Sequence, residues 1–258
     1  MNGNIFARFL EVASGLGDKP FLVEQGQTIL TYAELDTRTG VLAARLRALG
    51  ARPGDRIVVQ VDKSAENVLL YLAAQRAGLV HVPLNTAYVA TELEYFLADA
   101  EPAVVVCRPA DEAAVASLMR GGRLVTLGTD GTGSLLGDLP DAVLPVEPRA
   151  ASDLAAILYT SGTTGRSKGA MLTHGNLLSN ALTLKDLWGW RADDVLIHAL
   201  PIYHVHGLFV ALHGALLAGA TVVVQRRFDP GGITAEFGRG TGVVGGAGEH
   251  PRPPPPRG

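Results

Sequence analysis

"LAAILYTSGTTGRSKGAMLT", residues 154–173, joins an apolar run to a polar, glycine-jointed one. The run from Leu154 to Thr160 is short, apolar and bounded by turn-forming residues, which predicts a buried strand. Between Thr160 and Gly169 the chain then places three glycines, five serine or threonine hydroxyls and one lysine. Glycine has no Cβ, so the backbone can bend sharply and approach a ligand. Successive N–H groups in such a bend form an anion-binding concavity. Lys168 adds a compact positive charge suited to phosphate. Thr160, Ser161, Gly162, Thr163, Thr164, Gly165 and Lys168 together read as a polyphosphate clamp. "GAMLTH" after the loop reads as a second short strand.

Two other readings compete. A solvated Gly/Ser/Thr connection has the same composition, but the apolar strand before the loop and the single placed lysine weigh against it. A kinase- or GTPase-type phosphate loop needs Gly, four residues, then Gly-Lys-Ser/Thr. Here Ser167 precedes Lys168 and Gly169 follows it, so the order is wrong.

Outward from the loop, helical patterns and short β-rich runs alternate roughly every 20–25 residues, which predicts an α/β fold with right-handed crossovers on a largely parallel sheet. "IFARFLEVA" has helical spacing. "PFLVEQGQTILT" reads as two strands around a Gly26-Gln27 turn. Thr31 caps a helix from Tyr32 to Leu49, with Glu34 completing a capping box, and Gly50 stops it. "DRIVVQVDK", "LVHVPLN", "AVVVC" and "RLVTLG" are strands, separated by helices in "SAENVLLYLAAQRAG", "TELEYFLADAE" and "DEAAVASLMRGG". Residues Thr129 to Ala151 read as an exposed connection. Beyond the loop come a helix in "GNLLSNALTLKDLWGW", capped near His174 to Asn176, a strand in "DDVLIHALPI", a helix through "GLFVALHGALLAGA" and the strand "TVVVQ".

Composition narrows the classes. The 258 residues are 47% hydrophobic and 18% charged, with a net charge of -3, and no basic stripe marks a nucleic-acid surface. The lone cysteine, Cys107, excludes an internal disulfide and reads as a buried, inert strand residue. The N-terminus has no basic start followed by an apolar block, and no segment approaches the roughly 20 apolar residues of a membrane helix. The expected compartment is the cytoplasm. From Gly238 to Gly258, seven of 21 residues are Gly and five are Pro, a composition that cannot offset the entropy of ordering. It is also what a slipped GC-rich reading frame yields, and the stretch is read as a disordered, frameshifted tail.

"YTSGTTGRSKGAMLTHGNL" resembles the phosphate-loop signature of the adenylate-forming, or AMP-binding, superfamily, which includes the acyl-CoA synthetases. "PLNTAYVATELEYFLADAEPAVVVC" and "ALPIYHVHGLFVALHGALLAGATVVV" resemble two further segments of that family. The wording of these two is closest to malonyl-CoA synthetases, which activate a small dicarboxylic acid. The resemblance implies the N-terminal part of the adenylate-forming synthetase fold, layered helices on largely parallel sheets, incomplete here. Residues 1–237 are then a partial AMP-binding domain, and the family's C-terminal domain has no counterpart.

The implied chemistry is a two-step ligation that uses ATP, Mg2+ and coenzyme A. The carboxylate of a small acid attacks the α-phosphate of ATP and expels pyrophosphate, and coenzyme A then takes the acyl group as a thioester. Donors and a lysine around the leaving pyrophosphate stabilise the charge that collects there. Lys168 and His204 are the implied catalytic positions. A chain without the family's later motifs is expected to turn over little or not at all. The competing reading is a non-catalytic nucleotide or acyl-binding module, partnered by a separately encoded remainder of the enzyme.

His198, His204, His206 and His213 fall within 16 residues. Metal binding is disfavoured, because no cysteine or carboxylate sits at ligand spacing. Core or surface roles compete with an acyl pocket, and spacing alone does not choose among the four. By resemblance, His204 lines the acyl pocket with His206 and Gly207 beside it. A histidine could also meet a second carboxylate of the substrate.

Overall fold

Strand β2 (Gln27–Thr31) runs directly into helix α2 (Tyr32–Ala48), and a reciprocal pair of bonds fixes the switch. The Thr31 backbone N–H donates to Glu34 Oε2 at 2.8 Å, and the Glu34 N–H donates to Thr31 Oγ1 at 3.3 Å. This is the capping box that the sequence predicts. Gly50, at φ +98°, ends the chain's helical course. Before β2, strand β1 (Pro20–Glu24) turns back through Gln25 and Gly26, both at positive φ. The turn therefore sits one residue earlier than expected.

The computed structural model describes residues 2–160, 167–227, 231 and 242–244. The chain divides into two units: Met1–Ala7 with Asp36–Asn176, and Arg8–Leu35 with Leu177–Gly258.

The first unit is built on a six-stranded sheet in the order β6-β5-β3-β4-β7-β8. Its strands are β3 (Arg56–Gln60), β4 (Val80–Pro83), β5 (Val104–Cys107), β6 (Arg123–Thr126), β7 (Leu154–Thr160) and β8 (Lys168–Thr173). All pairings are parallel except β7 with β8, which is antiparallel. Helix α3 (Ala65–Arg76) is buried along nearly its whole surface, which explains its lack of a polar face. Ser64 caps it by accepting from the Asn67 N–H. Helices α4 (Ala90–Ala100) and α5 (Glu112–Leu118) cover another part of the sheet. There Leu93, Phe96 and Leu97 of α4 and Val115 of α5 pack with Val58, Val82, Val105 and Cys107. The Cys107 thiol is buried as expected, and burial is the main cause of its pKa rising to about 11.

The segment between β6 and β7 is not simply an exposed connection. Leu135 is fully buried, and Ser134 and Thr126 exchange backbone-to-hydroxyl bonds at 3.0 Å in both directions. The N-terminal residues thread into the same unit. Buried Asn4 donates from Nδ2 to the carbonyls of Gln75 (2.8 Å) and Glu147 (2.9 Å).

The second unit holds a five-stranded sheet in the order β11-β9-β10-β1-β2. Strands β9 (Val195–His198), β10 (Thr221–Val224) and β1 run parallel, and β1 with β2 forms the antiparallel hairpin. Sequence alternation gives no sign that two sheets exist, because β1 and β10 pair across about 200 residues (Leu22↔Val222). Helix α6 (His174–Trp188) is capped by a reciprocal pair between Thr173 and Asn176 at 3.1 Å. Helix α7 (Leu212–Ala218) follows a π-helical turn at His206–Ala211 and ends on Gly219 at φ +74°. Within residues 238–258 the structure describes Gly242–Val244 alone, as strand β11 beside β9. Val243 and Val244 are the two valines of that stretch, and they supply the strand propensity.

Candidate functional site

The polar loop lies between the two antiparallel strands β7 and β8. Thr160, the last residue of β7, is the register partner of Lys168, the first of β8. The Thr160 hydroxyl donates to the Lys168 carbonyl at 3.4 Å, and the Lys168 side chain is exposed. Ser161, Gly162, Thr163, Thr164 and Gly165, also assigned to the clamp, lie outside the described residues.

The strand that follows the loop separates this site from nucleotide loops that feed a helix. Such loops place the phosphate on a helix N-terminus and use its partial positive charge. Here the next element is strand β8, not a helix. Positive charge at the described ends of the loop comes from Lys168.

Four aromatic residues support the hairpin. The Tyr159 ring lies 4.5 Å from the Phe96 ring and 6.3 Å from Tyr95, and Tyr88 stands 4.9 Å from Phe96. Opposite Tyr159, Gly169 leaves room on the strand. A Cβ there would meet Ile157 Cγ2 at 2.8 Å and the Tyr159 ring at 3.5 Å. Two polar bonds from α4 complete the support. Tyr159 Oη donates to Asp99 Oδ2 at 2.6 Å, and Tyr95 Oη donates to the Ser167 carbonyl at 2.9 Å. Burial, then the Asp99 bond, push the Tyr159 phenol far above its ordinary pKa, so it stays a neutral donor. Tyr95 and Asp99 were not singled out from sequence. Their only signal was helical spacing, four residues apart on one face of α4.

The second unit carries the histidine segment, and its four histidines separate into two buried and two exposed. His198, at the end of β9, is buried and its Nε2 lies 2.8 Å from the Gly207 carbonyl. His213 is buried between the rings of Phe9 (5.2 Å) and Phe209 (5.4 Å), and burial lowers its pKa to about 3. It is a neutral core residue. His204 and His206 are exposed, with the Tyr203 ring 4.6 Å from His204. Gly207 is buried and tightly enclosed: a Cβ would stand 2.1 Å from the Pro201 carbonyl oxygen. Its residue type is thus explained by backbone packing. The π-helical turn begins at His206, a distortion frequent at functional sites. Among the described residues, no group of three His, Cys, Asp or Glu could hold a metal ion. None of their helices is long and apolar enough to cross a membrane.

Residues 9–237 match the AMP-binding enzyme family, and the chain belongs to it. Among curated proteins, it is 38% identical over 211 residues to a feruloyl-CoA synthase from an Amycolatopsis species, covering 82% of this chain and 42% of that one. It is 34% identical over 232 residues to the human mitochondrial malonate–CoA ligase, covering 87% and 40%. Among solved structures, ATP-bound MatB from Rhodopseudomonas palustris superposes with a TM-score of 0.90 at 48% identity, covering 95% of this chain and 49% of that chain. The chain thus spans less than half the length of these relatives. The mixed, mostly parallel sheets and layered helices agree with the α/β architecture expected from the sequence.

Proposed function

We propose that the β7–β8 hairpin is the polyphosphate clamp of an ATP-dependent acid–CoA ligase, with a small carboxylic acid as acyl donor. One observation carries the reading: exposed Lys168 opens β8 directly opposite Thr160 at the mouth of the hairpin. An ammonium and a hydroxyl there suit the β- and γ-phosphates, where charge collects as the Pα–O bond breaks. The substrate carboxylate forms the new bond to Pα, pyrophosphate departs, and the thiol of coenzyme A displaces AMP from the acyl carbon. Mg2+ would arrive on the phosphate oxygens, as this ion commonly does. Ser161, Gly162, Thr163, Thr164 and Gly165 belong to the clamp in this reading.

For the acid, malonate is favoured by the human relative's name and by exposed His204 and His206, one of which can meet a second carboxylate. An aromatic acid is the second reading, favoured by the feruloyl-CoA synthase at 38% identity.

The relatives are about twice this length, so binding is the direct test. Equilibrium dialysis with MgATP should give saturable binding that Lys168→Ala weakens at least tenfold, the scale of a lost charge-assisted contact of about 1.5–3 kcal/mol. Equal affinity in the two proteins would refute the clamp. Thermal-shift titrations with malonate and with ferulate, compared with His204→Ala, separate the two acids. A shift by ferulate alone refutes malonate.

A further inference from the structure

We propose that Tyr95 and Asp99 of α4 are positioning residues that set the placement of Lys168, through Ser167 on one side of the hairpin and Tyr159 on the other. The inference deepens the reading of the hairpin as a phosphate site and rests on it.

The geometry is that of a two-point brace. Tyr95 and Asp99 stand one helical turn apart and present a phenol and a carboxylate on the same side of α4. The Tyr95 phenol donates to the carbonyl of Ser167, the residue immediately before Lys168. Asp99 accepts from Tyr159, the residue immediately before Thr160. Each bond therefore fixes the position next to one member of the Thr160–Lys168 pair.

Backbone pairing alone leaves this end of the hairpin weakly held. β8 is the last strand of its sheet among the described residues, so one neighbour, β7, supplies its ladder. The first four residues of β8 are exposed. By contrast α4 is rooted in the core, with Leu93, Phe96, Leu97 and Ala100 all buried. A rigid helix thus lends its rigidity to an exposed edge. A lysine that must meet phosphate oxygens within a few tenths of an ångström gains from that, because its ordering is completed before ligand arrives.

The brace works through hydrogen bonds and ring packing, so the two can be separated. Tyr95→Phe keeps the ring and removes the bond to Ser167. Asp99→Asn keeps an acceptor oxygen for Tyr159, whereas Asp99→Ala removes it. MgATP affinity of the full chain is measured by equilibrium dialysis, and amide exchange is followed at Lys168 and Gly169 against Ile57 and Val58 of β3 as an internal reference. Tyr95→Phe and Asp99→Ala are expected to weaken MgATP by about three- to tenfold each, the scale of one lost hydrogen bond. Exchange should rise at Lys168 and Gly169 and stay unchanged in β3. Asp99→Asn should recover affinity to within about twofold.

Unchanged affinity and exchange in Tyr95→Phe and Asp99→Ala would overturn the proposal. So would Asp99→Asn binding as weakly as Asp99→Ala, because the bond geometry would then not be what matters. If the parent chain binds no MgATP, the phosphate reading fails by itself. The exchange data then decide the brace: faster exchange confined to the head of β8 supports it, and unchanged exchange overturns it.

Discussion

Two segments leave the carboxyl ends of parallel-paired strands, where α/β sheets place their ligand sites, and they are held by opposite means. The hairpin after β7 is braced by side chains of a neighbouring helix, Tyr95 and Asp99. The histidine segment after β9 is held by close backbone fit, with Gly207 against Pro201 and its carbonyl bonded to His198. A side-chain brace can be adjusted one atom at a time. A backbone fit tolerates no added atom, so substitutions at the two glycines of these segments should differ in kind.

The largest difference is expected at Gly207. A Cβ there meets a backbone oxygen at 2.1 Å, and backbone cannot step aside, so Gly207→Ala should cost about 3 kcal/mol or more. Urea unfolding followed by tryptophan fluorescence checks this, because Trp188 and Trp190 both lie in the unit that holds β9. A cost under about 1 kcal/mol would dissolve the contrast between the segments.

Acid provides the next test. His213 has a pKa of about 3 in the folded chain against 6.5 unfolded, because burial opposes its charged form. A lowered folded pKa means that the unfolded chain binds more protons between these values. The associated stability is therefore complete above pH 6.5 and is lost as pH falls from 6.5 toward 3. The loss should be on the order of 5 kcal/mol when complete. His213→Met should flatten the fluorescence-detected slope between about pH 6.5 and 4. In the other unit, His174 falls to about 4 and His81 to about 3, with burial the main cause in each. The sign is the same there, so amide protection in β4 and β7, taken relative to the intrinsic exchange rate at each pH, should fall over the same range.

A smaller effect is expected at Gly169. Its added Cβ would meet the Ile157 side chain at 2.8 Å, and a side chain can shift, so Gly169→Ala should cost about 1–2 kcal/mol. A cost equal to that of Gly207→Ala would erase the distinction. The smallest effect belongs to His204→Ala. The residue is exposed, so stability should change by less than about 0.5 kcal/mol in the same urea measurement.

Local features were legible in the sequence wherever neighbours in the chain decide the structure. The Thr31–Glu34 box, the Gly50 stop, the Ser64-led helix and the strand before the loop all stand where their residues predict. What depends on distant partners was not legible. The division into two sheets rests on β1 meeting β10, and no periodicity in either strand encodes the other. The order of residues around Lys168 argued against a kinase- or GTPase-type loop, and β8 stands where "GAMLTH" reads as a strand. The Tyr95 and Asp99 brace escaped notice because a tyrosine and an aspartate on an amphipathic helix resemble an ordinary solvated face. Only tertiary contact reveals that they reach Ser167 and Tyr159. By spacing the four histidines looked alike, and resemblance alone pointed to His204 and His206. In the structure, burial separates His198 and His213 from His204 and His206.

Strand β8 closes the described part of its sheet, with Met171 66% exposed along it. An uncovered rim of this kind templates the addition of a strand from another molecule, and a lysine on it is a common guard against self-association. Lys168 occupies that rim. Replacing it by alanine to probe nucleotide removes the guard together with the charge, and the variant should sediment as larger species at concentrations where the parent does not.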